Sequence, residues 1–413
     1  MDHATPARFL AAHETTAPAP FPTVLAAPRD ACAASLRQQL PSPSAGLRIS
    51  VIVPAKDEAA NLPATLAALA AQTTLAGQPL PADSYEVIVL ANNCLDDTAA
   101  LGRRQARWFP GLALHVAELR LPPESAHVGR ARRLLMDEAC ARLEQVGQPA
   151  GIVASTDADT RVAPTWLAAI RAEIATGADA VGGRIFTQAD AGGGDNPPVL
   201  QRLQARDAVY RLLCARLEDL LDPAAADPWP RHHQHFGASL ALTARAYRRV
   251  GGLPEVRFLE DEALCQLLRR HDLALRHSPQ VQVLTSARHD GRVEVGLSWQ
   301  LREWLRLSEQ QREPHVDCPA QLVRHWQLRR QLRACWANVP GTDPAAVLAR
   351  LGLPAAAVLA QLSQCATFGM LWEWALAHSP HLALTAVPLS EALRLLPRLI
   401  RSSAAAGQPA EAA

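Results

Sequence analysis

Short apolar segments alternate with longer segments of helical periodicity over residues 48–300. Four apolar segments have the length of buried strands: LRISVIVPA, YEVIVLANN, LALHVAEL and GIVAST. Between them, segments such as NLPATLAALAAQ and DDTAALGRRQARWF repeat their apolar residues at helical spacing. Strands that alternate with helices form βαβ units, so the pattern predicts an α/β domain with a mostly parallel sheet flanked by helices.

Outside this domain the pattern changes. Residues 1–47 are rich in Ala, Pro, Thr and Ser, which predicts a flexible N-terminal arm with one short helix near residues 28–39. After the domain, helical periodicity dominates and no further strand pattern is found. We therefore expect a helical C-terminal region over residues 301–402 and a disordered tail over residues 403–413.

The charge balance and the cysteines narrow the function classes. The chain has 41 basic and 40 acidic residues, so its overall charge does not predict a nucleic-acid partner or a strongly charged membrane surface. The eight cysteines are scattered, with no C-x-x-C pair and no histidine at zinc-finger spacing. They are typical of reduced thiols in a cytoplasmic protein, and we expect no secretory signal because the start lacks a basic and an apolar region.

Membrane-spanning helices are not expected. The apolar stretch FGMLWEWALAHSPHLALTAVPL is interrupted by Glu373, His378, Pro380 and His381, and it falls short of the ~20 apolar residues that a span needs. The amphipathic stretch SEALRLLPRLIRSS leaves peripheral association with a membrane surface open. Because Pro397 interrupts it, packing on the main domain is the expectation.

Ligands of parallel sheets bind beyond the carboxyl ends of the strands, which here are residues 54–58, 91–97 and 157–160. Asp157 and Asp159 lie in the third segment. Two carboxylates at i and i+2 can face one Mg²⁺ or Mn²⁺ ion, which typically keeps one or two protein carboxylates together with phosphate oxygens. Alternatively, Asp159 or Thr160 caps the helix that begins in APTWLAAI.

Six segments together resemble the family 2 glycosyltransferases of GT-A fold. Three contain the strand ends: VIVPAKDEAANLPATLAAL, YEVIVLANNCLDDTA and STDADT. The other three are HVGRARRLLMDEA, FGASLALTARAYRRVGGLPE and FLEDEALCQLLRRHDLALR, which are similar to the family's lysine-containing helix start, acceptor-side motif and E-D helix. Together the six segments cover residues 48 to about 285.

The resemblance implies a metal-dependent enzyme with Mn²⁺ or Mg²⁺ as cofactor. Such an enzyme moves a single sugar from a nucleotide diphosphate sugar donor to a hydroxyl of a small-molecule or lipid-linked acceptor. Inversion is expected, because direct displacement needs one base and one metal and the chain offers a candidate for each. Retention stays open, because some similar GT-A enzymes retain the configuration.

Contacts to the nucleotide sugar are implied for seven residues: Pro54, Ala55, Glu58, Asn92, Arg130, Asp157 and Arg292. Asn92 stands where the family usually has an Asp, and since an amide both donates and accepts hydrogen bonds, the identity of the base stays open. Arg130 at a helix start combines a fork-shaped cation with free backbone N–H groups. Arg132 and Arg133 are expected in solvent, and residues 56–58 could also form a solvated charged turn.

Metal ligation is implied for Asp159, Asp157 and His289. Asp159 is expected to bind the ion directly, whereas Asp157 can meet the ribose instead. Asp261 stands at the catalytic-base position, from which a carboxylate can take the proton of the acceptor hydroxyl. The alternative for Asp261 is a first-turn residue that interacts with the helix dipole, and its neighbours Glu260 and Glu262 are expected to face elsewhere.

Two histidine-containing segments allow more than one interpretation. In RHHQHF, the residues His232, His233 and His235 have no nearby cysteine or carboxylate, which favours an acceptor-side loop over a zinc site. In TSARHDGRVEVG, either His289 is a third metal ligand or Arg288 or Arg292 binds the diphosphate.

Two other functions fit the same fold class. A sugar-nucleotide nucleotidyltransferase needs a Gly-rich loop after the first strand to hold a triphosphate, and this chain has PAKDEAAN there. A catalytically idle nucleotide-sugar-binding scaffold would use the helical region for partners. The stretch SWQLREW approaches the Q-x-x-R-W of processive synthases, but Glu303 replaces the arginine, so processivity is not predicted.

Overall fold

An eight-stranded sheet lies at the centre of the computed structural model, which describes residues 30–187, 197–286 and 296–407. The strands are β1 (Ile49–Ala55), β2 (Tyr85–Asn92), β3 (Ala113–Leu119), β4 (Ile152–Ser155), β5 (Thr160–Val162), β6 (Ala180–Thr187), β7 (Leu240–Thr243) and β8 (Leu275–Thr285). Their spatial order is β3-β2-β1-β4-β7-β6-β8-β5. Four neighbouring pairs are parallel and three are antiparallel, so the predicted α/β fold with a mostly parallel sheet is confirmed.

Helices surround this sheet and form the C-terminal region. In chain order they are α1 (Ala31–Gln38), α2 (Leu62–Ala70), α3 (Thr98–Trp108), α4 (Val128–Gln145), α5 (Trp166–Ala175), α6 (Pro198–Leu221), α7 (Ala244–Arg249), α8 (Glu260–Arg270), α9 (Leu297–Glu309), α10 (Pro319–Trp336), α11 (Pro344–Leu351), α12 (Ala355–Gln364), α13 (Phe368–His378) and α14 (Leu389–Gly407).

Both faces of the sheet are covered. β1 and β2 are buried along their whole length. Parallel strands between two helical layers are expected to be buried in this way and to be rich in apolar residues. Ile52 belongs to a core cluster with Leu135 of α4. The next side chain back, Val51, points to the opposite face and belongs to a cluster with Leu66 of α2 and Trp166 of α5. The ends of the strands therefore provide the accessible edge.

Part of the predicted flexible arm is folded onto this domain. Asp30 caps α1 by accepting a hydrogen bond from the backbone N–H of Cys32, and α1 packs against α4 and β3. Leu36 is 0% exposed and Leu47 is 1% exposed, both in the cluster beneath α4. The short helix expected near residues 28–39 is therefore present, but residues 30–47 are not a flexible arm.

The C-terminal region contains α9 to α14 and a small antiparallel sheet of β9 (His315–Asp317) and β10 (Ala386–Pro388). The expectation that no strand follows residue 300 is wrong. Each of these strands has three residues, which is too short to produce an alternating pattern in the sequence. The helical character predicted for the region is confirmed.

Helix α14 packs along α6. Leu389, Ala392 and Leu396 of α14 are 0% exposed and share a cluster with Tyr210 and Leu217 of α6. The apolar face of the amphipathic stretch is thus covered by protein. The helix continues to Gly407, so residues 403–407 are helical although the sequence predicted a disordered tail there.

Among the described helices, none alone is long and apolar enough to cross a membrane. The pair α11 and α12 meets the criteria of length and composition together, but it is bent by 112°.

Candidate active site

A cavity of about 1040 Å³ opens beyond the ends of β1, β2 and β4. Seven of the residues predicted for the site line it: Pro54, Ala55, Glu58, Asn92, Asp157, Asp159 and Asp261. The parallel strands bring these side chains together from positions far apart in the chain. His289 and Arg292, also predicted for the site, lie outside the described residues.

Loops at the ends of β1 and β2 are tied to each other. The backbone N–H of Leu95 donates to Asp57 Oδ1 (2.5 Å), and that of Glu58 donates to Thr98 Oγ1 (2.7 Å). The Glu58 side chain is only 9% exposed and accepts from Asn61 Nδ2 (2.8 Å), so it is not part of a solvated turn. These bonds fix the wall of the cavity that includes Glu58.

Three side chains of kinds that can bind a metal ion lie close together in the same loops. Atoms of Asp57, Cys94 and Asp96 come within 4.8 Å of one another. However, Asp96 accepts hydrogen bonds from the backbone N–H groups of Ala59 and Thr98, and Asp57 donates its own N–H to the Cys94 sulfur. The group therefore serves to connect the two loops.

Asp157 and Asp159 lie in a turn between β4 and β5. The N–H of Thr160 donates to the Asp157 carbonyl (3.1 Å), and Asp159 Oδ2 accepts from Ser286 Oγ (2.7 Å). The alternative that Asp159 or Thr160 caps a helix is wrong, because β5 follows directly and α5 begins only at Trp166. The turn leaves both carboxylates on the cavity wall.

Arg132 is the arginine of α4 that belongs to the site. Its side chain is 4% exposed, its Nη2 donates to Asp157 Oδ1 at 2.6 Å, and its Nη1 donates to Glu260 Oε1. A Cβ atom added to Gly237 would overlap with the guanidinium, so a glycine is required for this close approach. The expectation that Arg132 is solvated is therefore wrong.

Arg130 faces another direction. It does not line the cavity, and its guanidinium binds Asp30 at the start of α1 and Glu255 Oε1 (2.6 Å). Residues two apart in a helix point about 200° apart, which explains why Arg132 reaches the site and Arg130 does not. The sequence contained a signal for this, since Arg132 is four residues from both Val128 and Met136 on the apolar side of α4.

Asp261 lies in the first turn of α8. This position is compatible both with the role of a base and with the alternative of an interaction with the helix dipole. Its Oδ2 accepts from the backbone N–H of Gly237 (2.7 Å), and its Oδ1 accepts from that of Glu262 (2.8 Å). The two backbone N–H groups thus hold the Asp261 side chain in place at the cavity wall.

The carboxylates of the site repel one another. Burial raises the pKa of Asp157 to about 6, with Asp159 and Asp261 adding to the increase and Arg132 opposing it. The accessible 36% of the Asp157 side chain faces the cavity. Burial also raises the pKa of Glu260. A cation beside Asp157 would oppose the effect of burial and favour its ionised form.

The histidine-rich loop lies on the far side of the cavity. His232, His233 and His235 all line it. The Nε2 of His232 lies 3.0 Å from the Ser278 carbonyl, and the Nε2 of His235 lies 2.6 Å from Glu262 Oε2. Because these nitrogens are engaged in hydrogen bonds, the geometry favours the expected loop over a zinc site.

Comparisons with known proteins agree with the sequence resemblance. Residues 50–209 match the model of glycosyl transferase family 2. Among curated proteins, none matches the chain. Solved structures give distant likenesses. A mannosyltransferase, PcManGT from Pyrobaculum calidifontis in complex with GDP-Man and Mn²⁺, has 18% identity over 88% of this chain and 76% of its own, with a TM-score of 0.42.

Two further structures are similarly distant. TarS 1-349 of S. aureus in complex with UDP-GlcNAc has 14% identity over 80% of this chain and 91% of its own, with a TM-score of 0.42. Glucosyl-3-phosphoglycerate synthase from Mycobacterium tuberculosis has 18% identity over 70% of this chain and 86% of its own, with a TM-score of 0.36. At these scores the assignment depends on the family match and not on the structures. The likeness that the comparisons show is therefore to a glycosyl transferase family 2 domain over residues 50–209.

Proposed function

We propose that the protein transfers a single sugar from a nucleotide diphosphate sugar to a hydroxyl of a small-molecule or lipid-linked acceptor, with inversion. The observation that carries this proposal is the common cavity of Asp157, Asp159 and Asp261, at the strand ends of a domain of this family. The cavity volume of about 1040 Å³ lies at the upper end of the ~300–1000 Å³ typical of ligand pockets, so a donor and an acceptor fit side by side.

The nucleoside of the donor binds beside the ends of β1 and β2. Pro54 and Ala55 provide an apolar wall, and the buried carboxylate of Glu58 provides an acceptor for a ribose or base hydrogen. Asn92 is 4% exposed and offers both a donor and an acceptor to a base edge. We assign no contact with the donor to Arg130, because its guanidinium is already bound outside the cavity.

The carboxylates of Asp159 and Asp157 fit a divalent cation. Mg²⁺ and Mn²⁺ prefer carboxylate oxygens, and both of these carboxylates line the cavity. When bound, the ion neutralises charge on the diphosphate leaving group. Ser286 orients Asp159, and Arg132 orients Asp157. His289 as a third ligand and Arg292 as a phosphate contact are part of the proposal.

Asp261 acts as the general base. The acceptor hydroxyl loses its proton as its oxygen attacks the anomeric carbon, and a carboxylate can take that proton. The N–H groups of Gly237 and Glu262 keep one oxygen each of Asp261 in a fixed orientation. A single base is sufficient for direct displacement, which gives inversion.

The acceptor occupies the end of the cavity next to α6 and the C-terminal region. Residues from α6, α9 and α10 line this end: Gln204, Asp207, Arg211, Trp304, Leu322 and Trp326. A cytoplasmic location, predicted from the reduced cysteines, also remains a proposal. All eight cysteines lie within the described residues and form no disulfide there.

A panel of nucleotide sugars tests the function. We expect release of nucleoside diphosphate in the presence of Mn²⁺ or Mg²⁺, and NMR of the product to give the anomeric configuration. Asp159→Ala should abolish turnover, and Asp261→Asn should lower kcat by roughly 100-fold or more, within the range typical of general-base catalysis. Asp343→Asn is the matched control, because Asp343 caps α11 outside the cavity.

Other outcomes would point elsewhere. A nucleotidyltransferase would consume nucleoside triphosphate, and an idle scaffold would bind nucleotide sugars without turnover. If Asp261→Asn retained full turnover while Asp159→Ala had none, the assignment of the base would be wrong. A retained anomeric configuration would overturn the inverting mechanism.

A further inference from the structure

Four titratable side chains form a hydrogen-bonded row beside the acceptor end of the cavity. Asp227 Oδ2 lies 2.8 Å from His277 Nδ1, and His277 Nε2 lies 3.1 Å from His235 Nδ1. His235 Nε2 lies 2.6 Å from Glu262 Oε2. The four side chains are between 5% and 12% exposed. We refer to Asp227, His277, His235 and Glu262 as the histidine row.

The histidine row needs more protons than neutral histidines supply. Each of its three hydrogen bonds requires one proton, and two neutral imidazoles carry one N–H each. The third proton must therefore be on one of the imidazoles or on a carboxylate at an end. The four groups consequently titrate as one unit.

Both ends of the row are surrounded by donors that favour the ionised carboxylate. Glu262 Oε1 accepts from Gln266 Nε2 (3.2 Å) and lies 3.5 Å from Arg269 Nη1. Asp227 accepts from Arg231 Nη1 (3.0 Å) and Arg276 Nη1 (3.1 Å). With both carboxylates charged, the additional proton resides on the pair of histidines.

Of the two histidines, His235 is the less favourable site for the proton. Burial lowers the pKa of His235, although Glu262 opposes this effect. Asp227 has a pKa well below its usual value, because the hydrogen bond and charge of His277 and the charge of Arg231 outweigh the effect of burial. The ring of His232 also faces His277, with centroids 5.9 Å apart, and burial lowers the pKa of His232 to about 3, so it stays neutral.

The row is directly connected to the base that we assign. His235 is two residues before Gly237, whose N–H donates to Asp261 Oδ2, and Glu262 follows Asp261 in α8 and donates its N–H to Asp261 Oδ1. The hydrogen bond between the His235 and Glu262 side chains therefore joins the two backbone segments that hold the Asp261 carboxylate.

We propose that the singly protonated pair His277–His235 is a positioning element for Asp261, holding the segment of residues 235–237 against the start of α8. The inference rests on the proposed function, in which Asp261 is the base. When the additional proton leaves, one of the three hydrogen bonds is lost, the Gly237 N–H moves away from Asp261, and turnover falls. Activity therefore decreases as the pH rises through the apparent pKa of the pair.

The test uses His277→Asn in the full chain. Asparagine can still donate to Asp227, but it cannot carry the charge or reach His235. We expect kcat to fall by about 10- to 100-fold, as for a small misplacement of a catalytic group, with little change in KM for the donor. The alkaline decrease in kcat that we expect for the wild-type enzyme should be absent from the variant.

His232→Gln is the matched control, because His232 is a buried, neutral histidine beside His277 but outside the row. This variant should keep the alkaline decrease. If His277→Asn loses thermal stability but retains the wild-type kcat and pH profile, the row is only structural and the proposal is overturned.

Two measurements are independent of turnover. NMR of ¹⁵N-labelled imidazoles should find three protons on the four ring nitrogens of the pair at neutral pH, whereas two neutral rings would contradict the proposal. Hydrogen exchange of the Gly237 amide should be slow in the wild type and in His232→Gln and fast in His277→Asn. If the wild type transfers no sugar, the proposed function fails while these readouts still test the row. If Asp261→Asn is inactive but Gly237 exchanges slowly in His277→Asn, only the row fails.

Discussion

The donor end and the acceptor end of the cavity are held together by different means. At the donor end, backbone N–H groups of neighbouring loops bind side chains such as Asp57 and Thr98, close to the strands that carry them. At the acceptor end, α6 is connected to α10 through Asp222, which is 1% exposed and accepts at 2.5 Å from both Arg329 and Arg333. These partners are more than 100 residues apart in the chain.

This difference has consequences for specificity. The donor end depends on the sheet, so its geometry follows from the fold. The acceptor end depends on side-chain pairs between helices, which can change without altering the sheet. We therefore expect acceptor choice to depend on α6 and the C-terminal region, and donor binding to be insensitive to changes there.

Arg132→Ala, at the donor end, should cause the largest loss in the free energy of unfolding. The substitution leaves the buried carboxylate of Glu260 and the partly exposed one of Asp157 without their cation, and removal of one partner from a buried ion pair such as Arg132–Glu260 costs about 3–5 kcal/mol. Chemical denaturation measures the change in the free energy of unfolding. The control is Arg248→Ala, which removes an exposed pair with Glu144 and should cost at most about 1 kcal/mol. Equal denaturation midpoints for the two variants would contradict the role of Arg132.

Leu396→Ala should have the next largest effect, at the acceptor end. Leu396 of α14 is 0% exposed where this helix packs on α6. Removal of a buried leucine side chain lowers the free energy of unfolding by about 2–5 kcal/mol. Leu359→Ala is the control, because Leu359 is 53% exposed. We expect KM for the acceptor to rise in Leu396→Ala while the Kd of the nucleotide diphosphate sugar stays unchanged. A parallel loss of donor affinity would show that the two ends are not independent.

The sequence predicted the donor end better than the acceptor end for a physical reason. Asn92 ends β2, and Asp157 and Asp159 follow shortly after β4, and a parallel sheet necessarily brings such residues to one edge. The apolar segments of β1 and β2 located this edge without any tertiary information. By contrast, the contact between Asp222 and Arg329 depends on how α6 and α10 pack, which no local pattern encodes.

The errors at the donor end have the same origin. Arg130 was assigned by its place in a motif, whereas the direction of its side chain depends on the helix and on α1, which lay in a segment predicted to be flexible. Residues 30–47 have an arm-like composition, but Leu36 and Leu47 find a tertiary site. His277 received no role because its partners His235 and Asp227 lie 42 and 50 residues away in the chain, so no local pattern joins them.

The pH dependence of stability should distinguish Asp157 from the rest of the donor end. Its pKa is raised to about 6 in the folded protein, above the ~3.9 of an unfolded Asp. A raised pKa means that the folded state retains the proton, so this contribution to stability is complete below the unfolded pKa and is lost as the pH rises through about 6.

Without divalent cations, the Tm of the wild type should therefore fall relative to that of Asp157→Asn between about pH 4 and 7, the window between and just above the two pKa values. Mn²⁺ affinity should increase over the same window, because a carboxylate must be deprotonated to bind a metal. Calorimetry at several pH values measures both. Parallel Tm profiles for the two proteins would show that Asp157 is already ionised throughout.

Arg130→Ala should have the smallest effect on stability, and it tests most directly which residues belong to the donor end. Its partners Asp30 and Glu255 are 26% and 50% exposed, and partly exposed ion pairs contribute about 0–1 kcal/mol. Because Arg130 does not line the cavity, the Kd of the donor should be unchanged within error in isothermal titration. Arg132→Lys is the comparison on the same helix, and it should weaken donor binding because lysine cannot bridge Asp157 and Glu260 with two N–H groups. If Arg130→Ala weakened donor binding more than Arg132→Lys, Arg130 would have to leave Asp30 and Glu255 when the donor binds, and the motif position would be the better guide to this part of the site.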